Sequence, residues 1–66
     1  MKWYSKVTVE TFYTDEDGII LDKKYKSNII ASDSVETLKK SVGVRAEASA
    51  SDNIDILTTR MEVRSN

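Results

Sequence analysis

The chain has 66 residues, with ten basic and eleven acidic side chains, a formal net charge of −1, and no His, Cys or Pro. It therefore lacks the groups that most enzymes use for proton transfer near neutral pH, for thiol chemistry and for tight zinc binding. Acidic and basic residues alternate through both halves of the chain, so there is no basic arm for duplex DNA. We expect one small domain, residues 1–66, without enzymatic activity, cofactor or metal, that acts by presenting a surface.

The first predicted element is a β-strand. Residues from Trp3 to Thr14 are rich in β-branched and aromatic side chains and follow a period of two. A second run from Ile19 to Ala31 repeats the pattern, and its odd positions hold Ile19, Leu21, Tyr25 and Ile29. We expect this odd set to face the core together with Val7 and Val9, with Lys23 snorkelling at an edge.

The segment Asp15-Glu16-Asp17-Gly18 predicts a tight turn between these strands. A three-residue loop of residues 16–18 places Gly18 in the left-handed position of a hairpin with a G1 bulge. Pairing Asp15 with Ile19 then brings mainly apolar residues opposite each other on one face, and on the other face it brings an acidic residue opposite a basic one. The predicted pairs are Tyr13 with Leu21, Val9 with Tyr25, Ser5 with Ile29, Glu10 with Lys24 and Thr8 with Lys26.

A short helix is predicted next. Ser32, Asp33 and Ser34 are candidate N-caps, and Asp33 with Glu36 resembles a capping box. Three apolar residues follow at helical spacing: Val35, Leu38 and Val42. Gly43 is well placed to end the helix after two to three turns.

The remainder predicts two more strands. Residues 44–50 alternate Val or Ala with polar residues, as in a strand. Because Ala favours helices, the alternative is a helix that runs through Gly43 to about Ala50. A last strand is predicted from Ile54 to Arg64, with a bulge near Ile56–Leu57 that realigns its apolar positions. The expected fold is therefore α+β, an antiparallel sheet with one short helix in the order ββαββ, or ββαβ with a longer helix.

One short helix offers little cover for four strands, so we expect a second copy of the chain, as a homodimer, or a protein partner to cover the rest. Tyr4, Phe12 and Ile20 add apolar area on the opposite face, where Phe12 and Ile20 form a small patch near the hairpin tip. The alternative is that these are isolated surface residues without a function. The candidate partner-binding residues are Tyr4, Phe12, Asp15, Glu16, Asp17 and Ile20.

Two site chemistries compete with protein binding. The acidic turn resembles part of a calcium loop, but Tyr13 and Lys24 stand where that loop needs acidic ligands, which favours a plain turn. Aromatic residues beside lysines on a sheet are typical of single-stranded nucleic-acid binding, although the chain has no basic excess.

The sequence thus predicts a small interaction protein with a protein partner. In size and general style, and in its lack of catalytic residues, it resembles small phage or mobile-element products that bind and disable a host protein. The alternatives are a single-stranded nucleic-acid-binding protein and a structural subunit of a larger assembly such as a virion. Because we find no signal peptide and no membrane-spanning run, we expect a cytoplasmic location and no membrane partner.

Overall fold

The computed structural model describes residues 1–64. It contains strand β1 (Trp3–Thr14), strand β2 (Ile20–Ser32) and helix α1 (Val35–Arg64). The strands form a two-stranded antiparallel sheet, and α1 runs back along one face of it. The predicted small α+β fold with an antiparallel sheet is confirmed. The ββαββ order is wrong, because residues 44–50 and 54–64 are helical. The longer helix of the ββαβ alternative, which runs through Gly43, is observed, but its last strand is wrong.

The turn between the strands forms as the sequence predicts. Gly18 has a φ of 84°, which residues with a Cβ rarely adopt. Its amide donates a hydrogen bond to the carbonyl of Asp15 at 3.1 Å. The amide of Asp15 donates to the carbonyl of Ile19 at 3.0 Å. The carboxylate of Asp15 also accepts hydrogen bonds from the amides of Asp17 and Ile19, both at 2.9 Å, so this side chain builds the turn.

The register beyond the turn differs from the prediction by one residue. Thr14 pairs with Ile20 as expected, but Tyr13 pairs with Asp22, which leaves Leu21 as the extra residue of a β-bulge. All pairs further along the hairpin are shifted. The predicted partners are wrong, and the observed pairs include Val9 with Lys26, Glu10 with Tyr25, Thr8 with Ser27 and Ser5 with Ile30.

This shift moves the side chains of β2 from one face of the sheet to the other, because strand side chains alternate. The even residues of β2, from Asp22 to Ser32, are half-buried beneath α1. Its odd residues, which we expected in the core, are exposed: Leu21, Tyr25 and Ile29 are 48%, 51% and 75% accessible. Lys23 lies on this exposed face as well.

Helix α1 begins at Val35, and its N-cap is Ser34, one of the three predicted candidates, whereas the predicted Asp33–Glu36 capping box is not formed. The Ser34 hydroxyl accepts a hydrogen bond from the amide of Thr37 at 3.1 Å, and its carbonyl accepts from the amide of Leu38 at 3.0 Å. The helix then continues through Gly43, where a Cβ would meet no atom within 4 Å. The cost of one glycine, about 1 kcal/mol, is offset here by the helix-forming Ala and charged residues that follow it.

The buried layer between α1 and the hairpin is small and contains polar groups. Only Val7 and Leu57 are buried apolar residues among those described, and Ser49 and Asn53 are buried beside them at 1% and 0% exposure. The helix stripe that faces the hairpin recurs every three to four residues and consists of Leu38, Val42, Ala46, Ser49, Ala50, Asn53 and Leu57. The small residues in its middle allow the helix backbone to approach the strands closely.

Candidate functional site

The hairpin face that α1 leaves uncovered is the most distinctive surface of the molecule; we call it the open face. It is formed by Tyr4, Lys6, Thr8, Glu10, Phe12 and Thr14 of β1 and by Ile20, Leu21, Lys23, Tyr25, Ser27, Ile29 and Ala31 of β2. Its six large apolar side chains are 48–75% exposed: Tyr4, Phe12, Ile20, Leu21, Tyr25 and Ile29. The open face therefore carries a long, uncovered set of apolar groups.

Polar groups occupy the middle of the open face. The Thr8 and Ser27 hydroxyls, which pair across the strands, are hydrogen-bonded at 3.1 Å. Lys23 Nζ lies over the ring of Tyr25, 5.6 Å from its centroid, in a cation–π contact. Hydrogen bonding to Tyr25 raises the pKa of Lys23, and the charges of Tyr25 and Glu10 add to this effect. Lys23 and Tyr25 thus form a cation–aromatic pair on the open face.

The covered face, in contrast, joins helix and hairpin through polar contacts. Two ion pairs connect β2 to α1, Lys26 with Asp52 and Asp22 with Arg60, the second at 3.2 Å. The amide of Asn28 donates to the Ser49 hydroxyl at 3.1 Å. The polar side of β2 therefore faces the helix, and its apolar side faces solvent.

Asn53 lies at the centre of this polar layer. Its Nδ2 faces three acceptors: the carbonyl of Val9 at 3.1 Å, the hydroxyl of Thr11 at 3.2 Å and the carbonyl of Lys24 at 3.3 Å. Within residues 1–64, no donor reaches its buried Oδ1. An amide contacting both strands fixes the position of α1 along the hairpin.

The structure brings some predicted site residues together and separates others. Phe12 and Ile20 lie near the tip of the open face, next to the exposed acidic turn of Glu16 and Asp17. Tyr4 is also on the open face, but eight residues from Phe12 along β1, roughly 27 Å at strand spacing. Asp15 belongs to the turn itself, since its carboxylate is engaged with backbone amides.

Sequence reasoning missed Leu21, Tyr25 and Ile29 as surface residues because it placed them in the core. A signal for the observed arrangement exists in the helix: Ser49, Asp52 and Asn53 supply polar partners that an apolar strand face would not need. Matching these polar residues to the polar set of β2 predicts the observed faces.

No group of three or more acidic side chains in residues 1–64 is arranged to hold a metal ion. A shallow groove between strand and helix is lined by Ile30, Lys40, Ser41, Val44 and Arg45. In the described chain, α1 is not apolar enough to cross a membrane.

Comparison with known proteins gives no further guide. A scan against protein-family models, a search of curated proteins and a search of solved structures found no match to this chain. The geometry of the chain itself is therefore the basis for the functional assignment below.

Proposed function

We propose that this chain is a non-enzymatic interaction module that binds a protein chain through the open face of its hairpin. The observation that supports this is the exposure of six large apolar side chains on one continuous face. Single exposed apolar residues are common on soluble proteins, but a set that lines one face is characteristic of an interaction surface.

The contrast between the two hairpin faces strengthens the proposal. A hairpin that served only to stabilise its own chain would turn its apolar side towards the helix. Here β2 turns Lys24, Lys26 and Asn28 towards the helix and Tyr25 and Ile29 towards solvent. Burial of the outer set then occurs on binding and stabilises the complex by roughly 25 cal/mol per Å² of apolar surface removed from water.

The acidic turn adds a directional element to the proposal. Glu16 and Asp17 are exposed at the tip, beyond the apolar end of the open face. Exposed charges at the rim of an interface affect mainly the rate of association and the choice of partner. A module of this form fits an inhibitor that covers a surface of another protein, or a subunit of an assembly.

Single-stranded nucleic-acid binding is the second candidate, because Tyr4, Phe12 and Tyr25 lie on the same face as Lys6 and Lys23. Bases stack on such aromatic groups, and lysines contact the phosphates. The aliphatic share of the open face, the acidic Glu10 among its lysines and the net charge of −1 favour a protein ligand.

Site-specific photo-crosslinking separates these candidates. A benzophenone amino acid is introduced at Phe12 on the open face, or at Val44, which is 70% exposed on the helix and serves as the matched control. We expect protein adducts from position 12 and few from position 44. Equal yields at both positions, or no protein adduct at position 12, would contradict the proposal.

The same samples test the nucleic-acid candidate. Nucleic-acid adducts at position 12 support it, as does a fluorescence titration of Trp3 with mixed oligonucleotides that shows affinity falling steeply with salt. We expect weak oligonucleotide binding and no such adducts.

A further inference from the structure

We infer that the open face binds the open face of a second copy of this chain, antiparallel, about a two-fold axis that passes by Thr8 and Ser27. This inference rests on the proposed function, since it names the occupant of the same surface. It specifies which residues meet across the interface, and so it can fail while the proposed function stands.

The first argument is the shape and surface of one chain. The radius of gyration is 15.4 Å, against about 11 Å for a compact domain of 66 residues. The accessible surface is 5141 Å², whereas a folded monomer of 7.5 kDa has about 4,250 Å². The excess of about 900 Å² is close to the roughly 800 Å² that each partner buries in a standard interface. One copy therefore exposes about as much extra surface as each copy buries in a standard dimer interface.

The second argument is the pattern along β1, which is self-complementary about Thr8. Lys6 and Glu10 lie two residues to either side of Thr8, and Tyr4 and Phe12 lie four residues to either side. A two-fold axis across the strands places each residue on its counterpart in the other copy. Lys6 then faces Glu10 of the second copy, and Tyr4 faces Phe12, so opposite charges and aromatic rings meet twice.

The neighbouring strand has the same property. Ser27 is paired with Thr8, and Tyr25 and Ile29 lie two residues to either side of it. The same axis therefore stacks Tyr25 on Ile29 of the second copy. An isologous interface requires this relation, in which one residue contacts a second and the second contacts the first.

Other two-fold arrangements match the residues less well. An axis along the strands would set Lys6 over Ile29 and Glu10 over Tyr25, which buries charges against apolar groups. Pairing through the strand edges would leave the apolar side chains of the open face uncovered. The antiparallel face-to-face dimer pairs Lys6 with Glu10, Tyr4 with Phe12 and Tyr25 with Ile29, and it places Lys23 over Ala31 of the second copy.

Charge reversal tests the inference. The wild-type chain is examined by sedimentation equilibrium over concentrations from about 1 µM to 1 mM, which covers weak to moderate affinities. We expect a concentration-dependent dimer. Lys6→Glu and Glu10→Lys should each weaken dimerisation about tenfold or more, because symmetry introduces two repulsive pairs per dimer. The double variant should return to within about threefold of wild type.

The controls keep this result specific. Lys39→Glu makes the same charge change at an exposed helix position and should leave dimerisation unchanged. Circular dichroism confirms that each variant is folded. A wild-type chain that stays monomeric throughout, or a double variant that is no better than the single variants, would overturn the inference.

Crosslinking at a single cysteine tests the orientation, since the chain has no cysteine of its own. A short bifunctional maleimide, with a reach of about the 10 Å between packed sheets, should join two Thr8→Cys chains at the axis. Thr14→Cys, also on the open face, lies about 20 Å from the axis and about 40 Å from its symmetry mate, so it should not crosslink. Equal crosslinking at both positions, or at position 14 alone, would contradict the antiparallel arrangement.

The two proposals fail in different ways. If position 12 photo-crosslinks to a different protein and the chain is monomeric, the dimer inference is wrong and the proposed function is supported. If position 12 gives no protein adduct of any kind, both are wrong.

Discussion

Replacement of Asn53 by Asp tests whether the buried polar layer is organised as the structure shows. The Asn53 side chain is fully buried, and its Nδ2 donates towards two backbone carbonyls and one hydroxyl. The substitution Asn53→Asp keeps the size of the side chain but replaces this donor with a carboxylate oxygen. That oxygen then faces the carbonyls of Val9 and Lys24, and only Thr11 can donate to it.

The expected loss of stability is large. Loss of the two hydrogen bonds that the Asn53 amide can donate costs roughly 1 kcal/mol each. Burial of an uncompensated carboxylate raises its pKa by up to about 3–5 units, and each unit corresponds to about 1.4 kcal/mol at a pH where the group would otherwise ionise. The sum is comparable to the roughly 3–10 kcal/mol available to a domain of this length. We therefore expect Asn53→Asp to be largely unfolded near neutral pH.

The loss of stability in Asn53→Asp should depend on pH in a definite direction. The folded-state pKa of the introduced carboxyl is raised above its unfolded value of about 3.9. Its penalty is therefore greatest above the folded pKa and disappears below the unfolded pKa, where the neutral acid can donate one hydrogen bond. Urea unfolding followed by circular dichroism, near pH 7 and near pH 3.5, measures this directly.

Ser51→Asp is the matched control, because it introduces the same carboxyl at an exposed position of the same helix. The difference in unfolding free energy between the two variants should be several kcal/mol near neutral pH and should shrink on acidification. Equal stability of the two variants near neutral pH would mean that Asn53 is not buried against the hairpin. A difference independent of pH would mean that the carboxyl is not desolvated.

Three further predictions concern the turn, the helix start and the polar layer. Gly18→Ala should lower the free energy of unfolding by about 1–2 kcal/mol in urea titrations, because of the positive φ, and an unchanged value would contradict the turn geometry. Ser34→Ala should cost about 1 kcal/mol in the same assay through loss of the N-cap, and Asp33→Ala should cost less, whereas the reverse order would favour the capping box instead. Lys26→Ala removes an ion pair in which both side chains are about half exposed, so it should lower the free energy of unfolding by no more than about 1 kcal/mol, and by less in high salt. A larger loss of stability that does not depend on salt would show that the pair is more shielded from solvent than the structure indicates.

The hairpin turn could be predicted from the sequence because its signals are local. Asp15 and Gly18 have side-chain and backbone properties that suit this loop wherever it occurs, and the structure shows both in those roles. Tyr4, Phe12 and Ile20 could also be assigned to the outer face, since their strand positions follow from the period of two and the loop length.

The register could not be predicted because it depends on a bulge. Leu21 is apolar, like the residues at the other odd positions of β2, so nothing in its type marks it as the extra residue. The rule that apolar residues face the core then selected the wrong face for Tyr25 and Ile29. The rule failed at the surface that we propose for binding, which is where local preferences and function most often disagree.

The full length of the helix was missed for a different reason. From residue 44 to residue 50 the apolar side chains alternate with polar ones, which mimics a strand, and Gly43 mimics a helix end. In the structure this alternation has no role: Ala46 and Ala50 are half-buried towards the hairpin, while Val44 and Ala48 are exposed. The helical preference of Ala, accumulated over several turns, outweighs one glycine.

Helix α1 and strand β2 both carry polar residues where they meet, which indicates that the sequence specifies exposure of the apolar face of β2. If the bulge at Leu21 were incidental, the helix would present apolar side chains where the shifted strand brings polar ones. It instead presents Asp52 to Lys26 and Arg60 to Asp22. Because α1 supplies charged partners for the polar residues of β2, both elements specify that the apolar residues of β2 face outward. This agreement between the two elements supports the proposal that a partner surface covers the open face.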